Sequence, residues 1–258
     1  MSSCKEIVVT ENAGVLEISI RRPERKNALT HAMYTAINKA FEHAEATPSV
    51  RAVLMTGTED CFTSGNDMVD FLQSPPIGDE APVMIFLGKL ATFQKPLIAA
   101  VNGPAVGVGT TMLLHCDLVY LGESAKLQMP FTSLGLCPEA GSSYLLPMLM
   151  GHQRAAELLM LGETIDARRA CELGIANAVL ADADYQAHAR KQAARVVAQP
   201  AAAVRLTKQL MREAFMATLR GHMKTEGDAF AKRLVSPEAR EAMQAFMEKR
   251  KPDFSRFE

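Results

Sequence analysis

Residues 97–121 read LIAAVNGPAVGVGTTMLLHCDLVYL, and the fold class turns on them. Residues 97–101 are an unbroken apolar run, short enough for a strand buried on both faces. Asn102-Gly103-Pro104 ends it, because Gly and Pro punctuate regular structure more strongly than other residues. Gly107-Val108-Gly109 then opens a helical stretch, and residues 117–121 start another buried strand. Strand, glycine turn, helix and strand in that order describe an α/β protein with both sheet faces largely covered.

The alternation continues toward the N-terminus. Residues 51–55 read as a buried strand ending at Gly57, and residues 82–93 as a helix. Residues 7–10 and 15–20 alternate apolar and polar side chains around Glu11-Asn12-Ala13-Gly14, a hairpin signal. Thr30 can N-cap a helix to about Ala46, with Met33, Ile37, Ala40, Phe41 and Ala44 at helical spacing. The stretch QSPPIGDEAP at 73–82 is the most loop-like. From Gly141 onward helical patterns dominate, over 141–150, 154–161, 167–173, 183–198, 201–219 and 237–251, with one strand signal at 176–180. The expectation is an α/β core over residues 1–200 and a helical region over 201–258.

Composition narrows the function classes. The chain has 258 residues, which suits one large domain, or a core with a helical appendage. Its 28 Lys+Arg against 29 Asp+Glu give a net charge of -1, without the positive excess of a polybasic nucleic-acid binder. At 48% apolar and 22% charged it is close to ordinary globular usage and unlike a disordered chain. Cys4, Cys61, Cys116, Cys137 and Cys171 are far apart and form no CxxC pair, which fits a reducing compartment. The histidines show no HExxH spacing, so no metal is expected. No apolar run approaches the roughly 18 residues of a membrane span. The first ten residues are too short a signal peptide, and the final SRFE is no targeting signal. A cytoplasmic protein is the expectation.

Two familiar motifs fail. Gly103-Pro-Ala-Val-Gly107-Val-Gly109 has the wrong glycine order for a dinucleotide loop, and no Lys-Ser/Thr follows as in a P-loop. No G-x-S-x-G elbow is present. Two glycine turns remain, each following a buried strand: Phe62-Thr-Ser-Gly-Asn-Asp67 and Gly107-Val-Gly109. Both read as ordinary strand-to-helix turns, with Asp67 as an N-cap. They also read as two sets of outward backbone N–H groups that could converge as an oxyanion hole. Residue types alone leave both readings open. Glu139, after Pro138, likewise reads as a helix-start glutamate favoured by the helix dipole or as a catalytic carboxylate. His115 on an apolar helix end and Asp117 at a strand start read as structural. The 15 methionines read first as core filler.

The order RRPERKNALT (21–30), FTSGNDM (62–68), NGPAVGVG with LLHCDLVY (102–120), and LGLCPEAGSSYLLP (134–147) resembles the crotonase superfamily. This is the enoyl-CoA hydratase/isomerase family, and ETIDARRACELGIANAV (163–179) extends the likeness over nearly the whole chain. Within it, PEAGSSY at 138–144 looks most like the Δ3,Δ2-enoyl-CoA isomerases. The resemblance implies a spiral of ββα units with a helical C-terminal part. It implies a homotrimer or dimer of trimers, an acyl-CoA thioester as substrate and no further cofactor. The N–H groups of Asn66 and Val108 would hold the thioester oxygen.

By the same resemblance, Lys26 and Ala28 lie in the loop on the adenine and pantetheine side of CoA, with Lys26 reaching a phosphate or ribose. Lys232 or Arg233 is a further candidate cation for the phosphates. Ser64, Asp67 and Met68 flank the first donor, and Met68 would line an acyl tunnel. Phe131, Leu134 and Pro138 surround Glu139. The family's hydratases use two glutamates, and those positions here hold Thr111 and Phe131. A missing general base forfeits about 10²–10⁴-fold, so hydration is disfavoured. Glu139 matches the isomerase carboxylate. The alternatives are a hydratase or other lyase on the same fold, and a non-catalytic acyl-CoA-binding protein.

Overall fold

The computed structural model describes residues 4–75 and 78–257. Strands β1 (Ile7–Asn12) and β2 (Val15–Ile20) form the expected antiparallel hairpin, pairing Ile7 with Ile20. Helix α1 (His31–Ala46) follows, and the Thr30 hydroxyl accepts the Met33 N–H as its N-cap. Next come β3 (Ala52–Thr56), α2 (Met68–Gln73), α3 (Pro82–Thr92) and β4 (Leu97–Val101). Every residue of β3 and β4 is buried, which is why both read as unbroken apolar runs.

The chain then runs through β5 (Pro104–Val106), α4 (Val108–Thr111), a 3-10 turn at Met112–His115, β6 (Leu118–Gly122) and β7 (Lys126–Gln128). Helices α5 (Ser142–Met150) and α6 (His152–Ala156), strand β8 (Ile165–Asp166), α7 (Ala167–Glu172), β9 (Ala178–Leu180) and α8 (Tyr185–Val197) lead into α9 (Ala201–Leu234) and α10 (Pro237–Met247).

The strands make two sheets. Six run in the order β1-β2-β3-β4-β6-β9, parallel from β2 onward, and three in the order β5-β7-β8. Each spiral turn gives one strand to each sheet before its helix: β4, β5 and α4, then β6 and β7. An earlier turn follows the same plan, its second strand reduced to a bridge from Thr63 to Ala105. The main core lies within this spiral, and α8 covers the other face of the large sheet through Tyr185, Ala189 and Ala193.

Several boundaries differ from expectation. The loop over 73–82 is shorter, because Gln73 closes α2 and Pro82 opens α3; residues 76 and 77 lie outside the described residues. The helix expected to stop at 219 continues unbroken to Leu234. The last helix ends at Met247, not 251. The short strands β5, β7 and β8 are too brief for a periodicity to register. No described helix is long and apolar enough to cross a membrane.

Candidate active site

The first backbone donor is set by a single parallel bridge. Leu29 N–H donates to Gly65 O at 2.8 Å, and Asp67 N–H to Leu29 O at 2.8 Å. In such pairing the intervening residue, Asn66, turns its own N–H and C=O away from Leu29. Gly65 has φ of 91°, and a Cβ there would meet the Val106 carbonyl oxygen at 2.9 Å, so glycine lets this turn lie against β5. Val106 N–H donates to Thr63 O at 3.0 Å across the same seam. One residue later Gly107 (φ 57°) takes the left-handed turn. Val108 therefore starts α4 in ordinary helical backbone, which a β-branched residue accepts, and its N–H has no intrahelical acceptor. The Asn66 and Val108 turns are neighbours on one seam.

Glu139 arrives from a different turn of the spiral. Ala140 and Gly141 both have positive φ, 60° and 73°, which reverses the chain ahead of α5. The Thr111 hydroxyl, fully buried on α4, donates to Glu139 Oε1. His115 Nε2 meets the Ala140 carbonyl at 2.7 Å, while its Nδ1 is buried without a partner. Burial lowers His115 to about 4 against the opposing pull of that carbonyl, so the ring is a neutral donor near pH 7. Burial pushes the Glu139 carboxyl up to about 7; the Thr111 bond pulls it back and the nearby Glu226 pushes it further.

Asn66 and Glu139 line the same cavity, of about 390 Å³. Its other walls are mainly apolar: Phe71, Val83, Met84 and Leu87 from one side, and Met223, Phe230 and Ala231 of α9 from the other. Lys224, bonded to Asp228 at 3.0 Å, is exposed, as are Asp228 and Asp79, and these mark the solvent side. The Asn66 side chain is held from behind, its Oδ1 accepting the hydroxyl of fully buried Tyr34 at 2.6 Å. This leaves its amide N–H₂ as the group free to serve the cavity.

The loop expected to meet CoA is firmly tied. Asn27, with φ of 56°, donates through Nδ2 to the carbonyls of Cys61 (2.7 Å) and Phe62 (3.2 Å). Arg22 bonds both Ala28 O (2.9 Å) and Asp67 Oδ2 (2.6 Å), and Ser64 N–H donates to Lys26 O at 3.0 Å. Lys26, Ala28, Ser64 and Asp67 thus share one edge beside the Asn66 turn, with the Lys26 side chain exposed. Burial alone would raise the Asp67 carboxyl, but the Arg22 bond and the α2 N–H groups outweigh it and hold it low. Asp67 caps α2 through Val69 and Asp70 N–H, as the structural reading expected.

Other candidates do not line the cavity. Phe131 belongs to the main core and Met68 packs with Phe71 and Phe230; neither lines the cavity, nor do Leu134 and Pro138. Arg233 is engaged with Glu238 (3.1 Å) and Gly135 O (2.9 Å). Sequence reasoning missed Tyr34, Glu226 and the whole α9 wall. A signal existed for the wall: Leu219, Met223, Phe230 and Leu234 form one helical stripe, with Glu226 as its polar interruption.

Known proteins resemble this chain over most of its length. Enoyl-CoA delta isomerase 2 of Homo sapiens is 34% identical over 251 residues, 95% of this chain and 64% of that protein. The chain therefore spans somewhat less than two thirds of that relative's length. The 2,3-dehydroadipyl-CoA hydratase of Escherichia coli K12 is 29% identical over 252 residues, 96% of this chain and 98% of the relative. The solved structure of OdaA from Pseudomonas aeruginosa is 50% identical with a TM-score of 0.93, covering 95% of this chain and 99% of that one. The model of the family described as enoyl-CoA hydratase/isomerase matches residues 10–256, and the chain belongs to that family.

Proposed function

We propose that the protein is a Δ3,Δ2-enoyl-CoA isomerase. The observation that carries this reading is Glu139: it lines the apolar cavity with Asn66, and it takes a hydrogen bond from Thr111, which stands at one of the two positions where the hydratases carry a glutamate. One carboxylate is enough to move a double bond. Glu139 takes a proton from C2, and the electron pair delocalises onto the thioester oxygen and, through the C3–C4 double bond, onto C4. The protonated Glu139 then returns the proton at C4, leaving the bond between C2 and C3. The N–H groups of Asn66 and Val108 stabilise the dienolate oxygen, most strongly when its charge has developed. The apolar walls exclude water that would otherwise add to the conjugated product. Every proton in this scheme is carried by a protein side chain, and no cofactor enters it.

Lys26, exposed on the tied loop beside Ser64, meets the CoA phosphates. Leu206, Leu210 and Met211 project from α9 at more than half exposure, which supports assembly into a homotrimer or dimer of trimers. The deciding assay supplies 3-enoyl-CoA and 2-enoyl-CoA separately. The expected result is conversion of the first to the conjugated 2-enoyl thioester, little hydration of the second, and loss of about 10²–10⁴-fold in Glu139→Gln. Efficient hydration by the wild type, or full activity of the Gln variant, overturns the reading. CoA-thioester binding without turnover favours a non-catalytic binding protein.

A further inference from the structure

Three consecutive residues of the catalytic turn are gripped by side chains from three elements. Thr111 of α4 holds the Glu139 carboxylate, and His115 of the 3-10 turn holds the Ala140 carbonyl. Glu226, from the middle of α9, holds the next residue. Its Oε2 accepts the Gly141 N–H at 2.5 Å; its Oε1 accepts the Ser143 N–H at 2.9 Å and the Ser143 hydroxyl at 2.5 Å. Glu226 is only 7% exposed and sits on an otherwise apolar stripe. A buried group taking donors at both oxygens is an acceptor-only carboxylate. The proton transfers proposed above give it no part.

We propose that Glu226 is a positioning residue for Glu139: it fixes the 138–143 turn to the helix that walls the acyl cavity, and its negative charge behind that turn strengthens Glu139 as a base. The inference rests on the isomerase reading for the identity of the base. The other buried titratable groups around Glu139 are uncharged close to pH 7. Tyr34 of α1 is raised well above its usual range by burial and by Glu139. Cys137, in the same turn, is raised by burial and by Glu226. His115 is neutral. Asp79, Lys224 and Asp228 are exposed and screened by solvent. Glu226 is therefore the buried charge that Glu139 feels, and it acts in the direction that raises the Glu139 carboxyl.

Two variants separate position from charge. Glu226→Gln removes the charge and disturbs one oxygen's contacts; Glu226→Asp keeps the charge on a shorter stem. Each is prepared as full-length protein with carboxyl-13C glutamate, and the Glu139 resonance is assigned by its loss in Glu139→Gln. The Glu139 midpoint is expected to fall by about 1 pH unit in Glu226→Gln and to stay near wild type in Glu226→Asp. With 3-enoyl-CoA, kcat is expected to fall about tenfold in both while KM changes less than about twofold. In Glu226→Gln alone, the acid limb of the rate profile moves to lower pH. An unchanged Glu139 midpoint in a folded Glu226→Gln overturns the charge effect. If that variant does not fold, an unchanged kcat in Glu226→Asp overturns the positioning role. The titration needs no substrate, so a midpoint shift in a protein that leaves 3-enoyl-CoA untouched refutes the isomerase reading and not the Glu226–Glu139 coupling.

Discussion

A carboxylate that removes a proton from carbon must be ionised and still basic at working pH. Glu139, raised to about 7, meets that condition, and kcat/KM for 3-enoyl-CoA should decline below an apparent pKa near 7. Thr111 sets the balance. Its hydroxyl bonds the ionised form, so Thr111→Val should move the acid limb to higher pH and lower kcat/KM at pH 7 by about tenfold. A pH–rate profile of both proteins reads this directly. The raised carboxyl also costs stability. Between its ordinary 4.5 and about 7 the unfolded chain gives up a proton that the fold retains, so stability falls as pH rises through that window. Glu139→Gln should therefore melt higher than wild type at pH 8, by about 1–2 kcal/mol, with the gain shrinking toward pH 4. His115 runs the other way. Its neutral, buried ring costs the fold increasingly as pH drops from 6.5 to about 4, a loss of about 3 kcal/mol that His115→Gln should spare. Glu139 and Thr111 were legible in the sequence because each sits in a motif whose neighbours name it. Tyr34 was not: at helical spacing beside Met33 and Ile37 it reads as core, and only the fold brings its hydroxyl to Asn66.

Helix α9 shows where reading by element reaches its limit. Gly221 and Gly227 punctuate it, and each interior glycine costs about 1 kcal/mol relative to Ala, which argues for an early stop. Packing of Leu219, Met223, Phe230 and Leu234 overrides that propensity. Gly227 also faces the Met84 side chain, which a Cβ there would meet at 3.3 Å, so α9 can close on α3 across the cavity. The hairpin, α1, β3 and β4 were legible because their periodicities are local and strong. The β5 and β7 strands depend on partners far along the chain. The other end of α9 is anchored by Lys208, 5% exposed, whose ammonium donates to Lys95 O and Asp117 Oδ2, both at 2.8 Å. Asp117 Oδ2 also accepts the Leu97 N–H at 2.7 Å at the start of β4. Asp117→Ala strands a buried cation and an amide together and should cost about 3–5 kcal/mol by denaturant unfolding. Lys208→Met, which removes the charge and keeps the apolar stem, should cost clearly less.

At the scale of the whole molecule, α9 has two different halves. From Leu219 onward it walls the cavity and holds the Glu139 turn. Before that, its buried contact is Lys208, while Leu206, Leu210 and Met211 stand 53%, 61% and 63% exposed. Nothing in the near-neutral composition distinguishes such a face from a core stripe; exposure emerges only when the rest of the chain is seen to leave it uncovered. In the proposed homotrimer or dimer of trimers, copies of the same chain would cover it, and sedimentation velocity should then give three or six times the chain mass. The double variant Leu206→Glu/Leu210→Glu places like charges on that face and should sediment as a monomer while keeping its far-UV circular dichroism. The monomer should also lose turnover, because the helix whose first half has lost its support is the helix whose second half holds Glu226 against the Glu139 turn. A wild type that sediments as a monomer at micromolar concentration, with full activity, rules out both the assembly and this coupling.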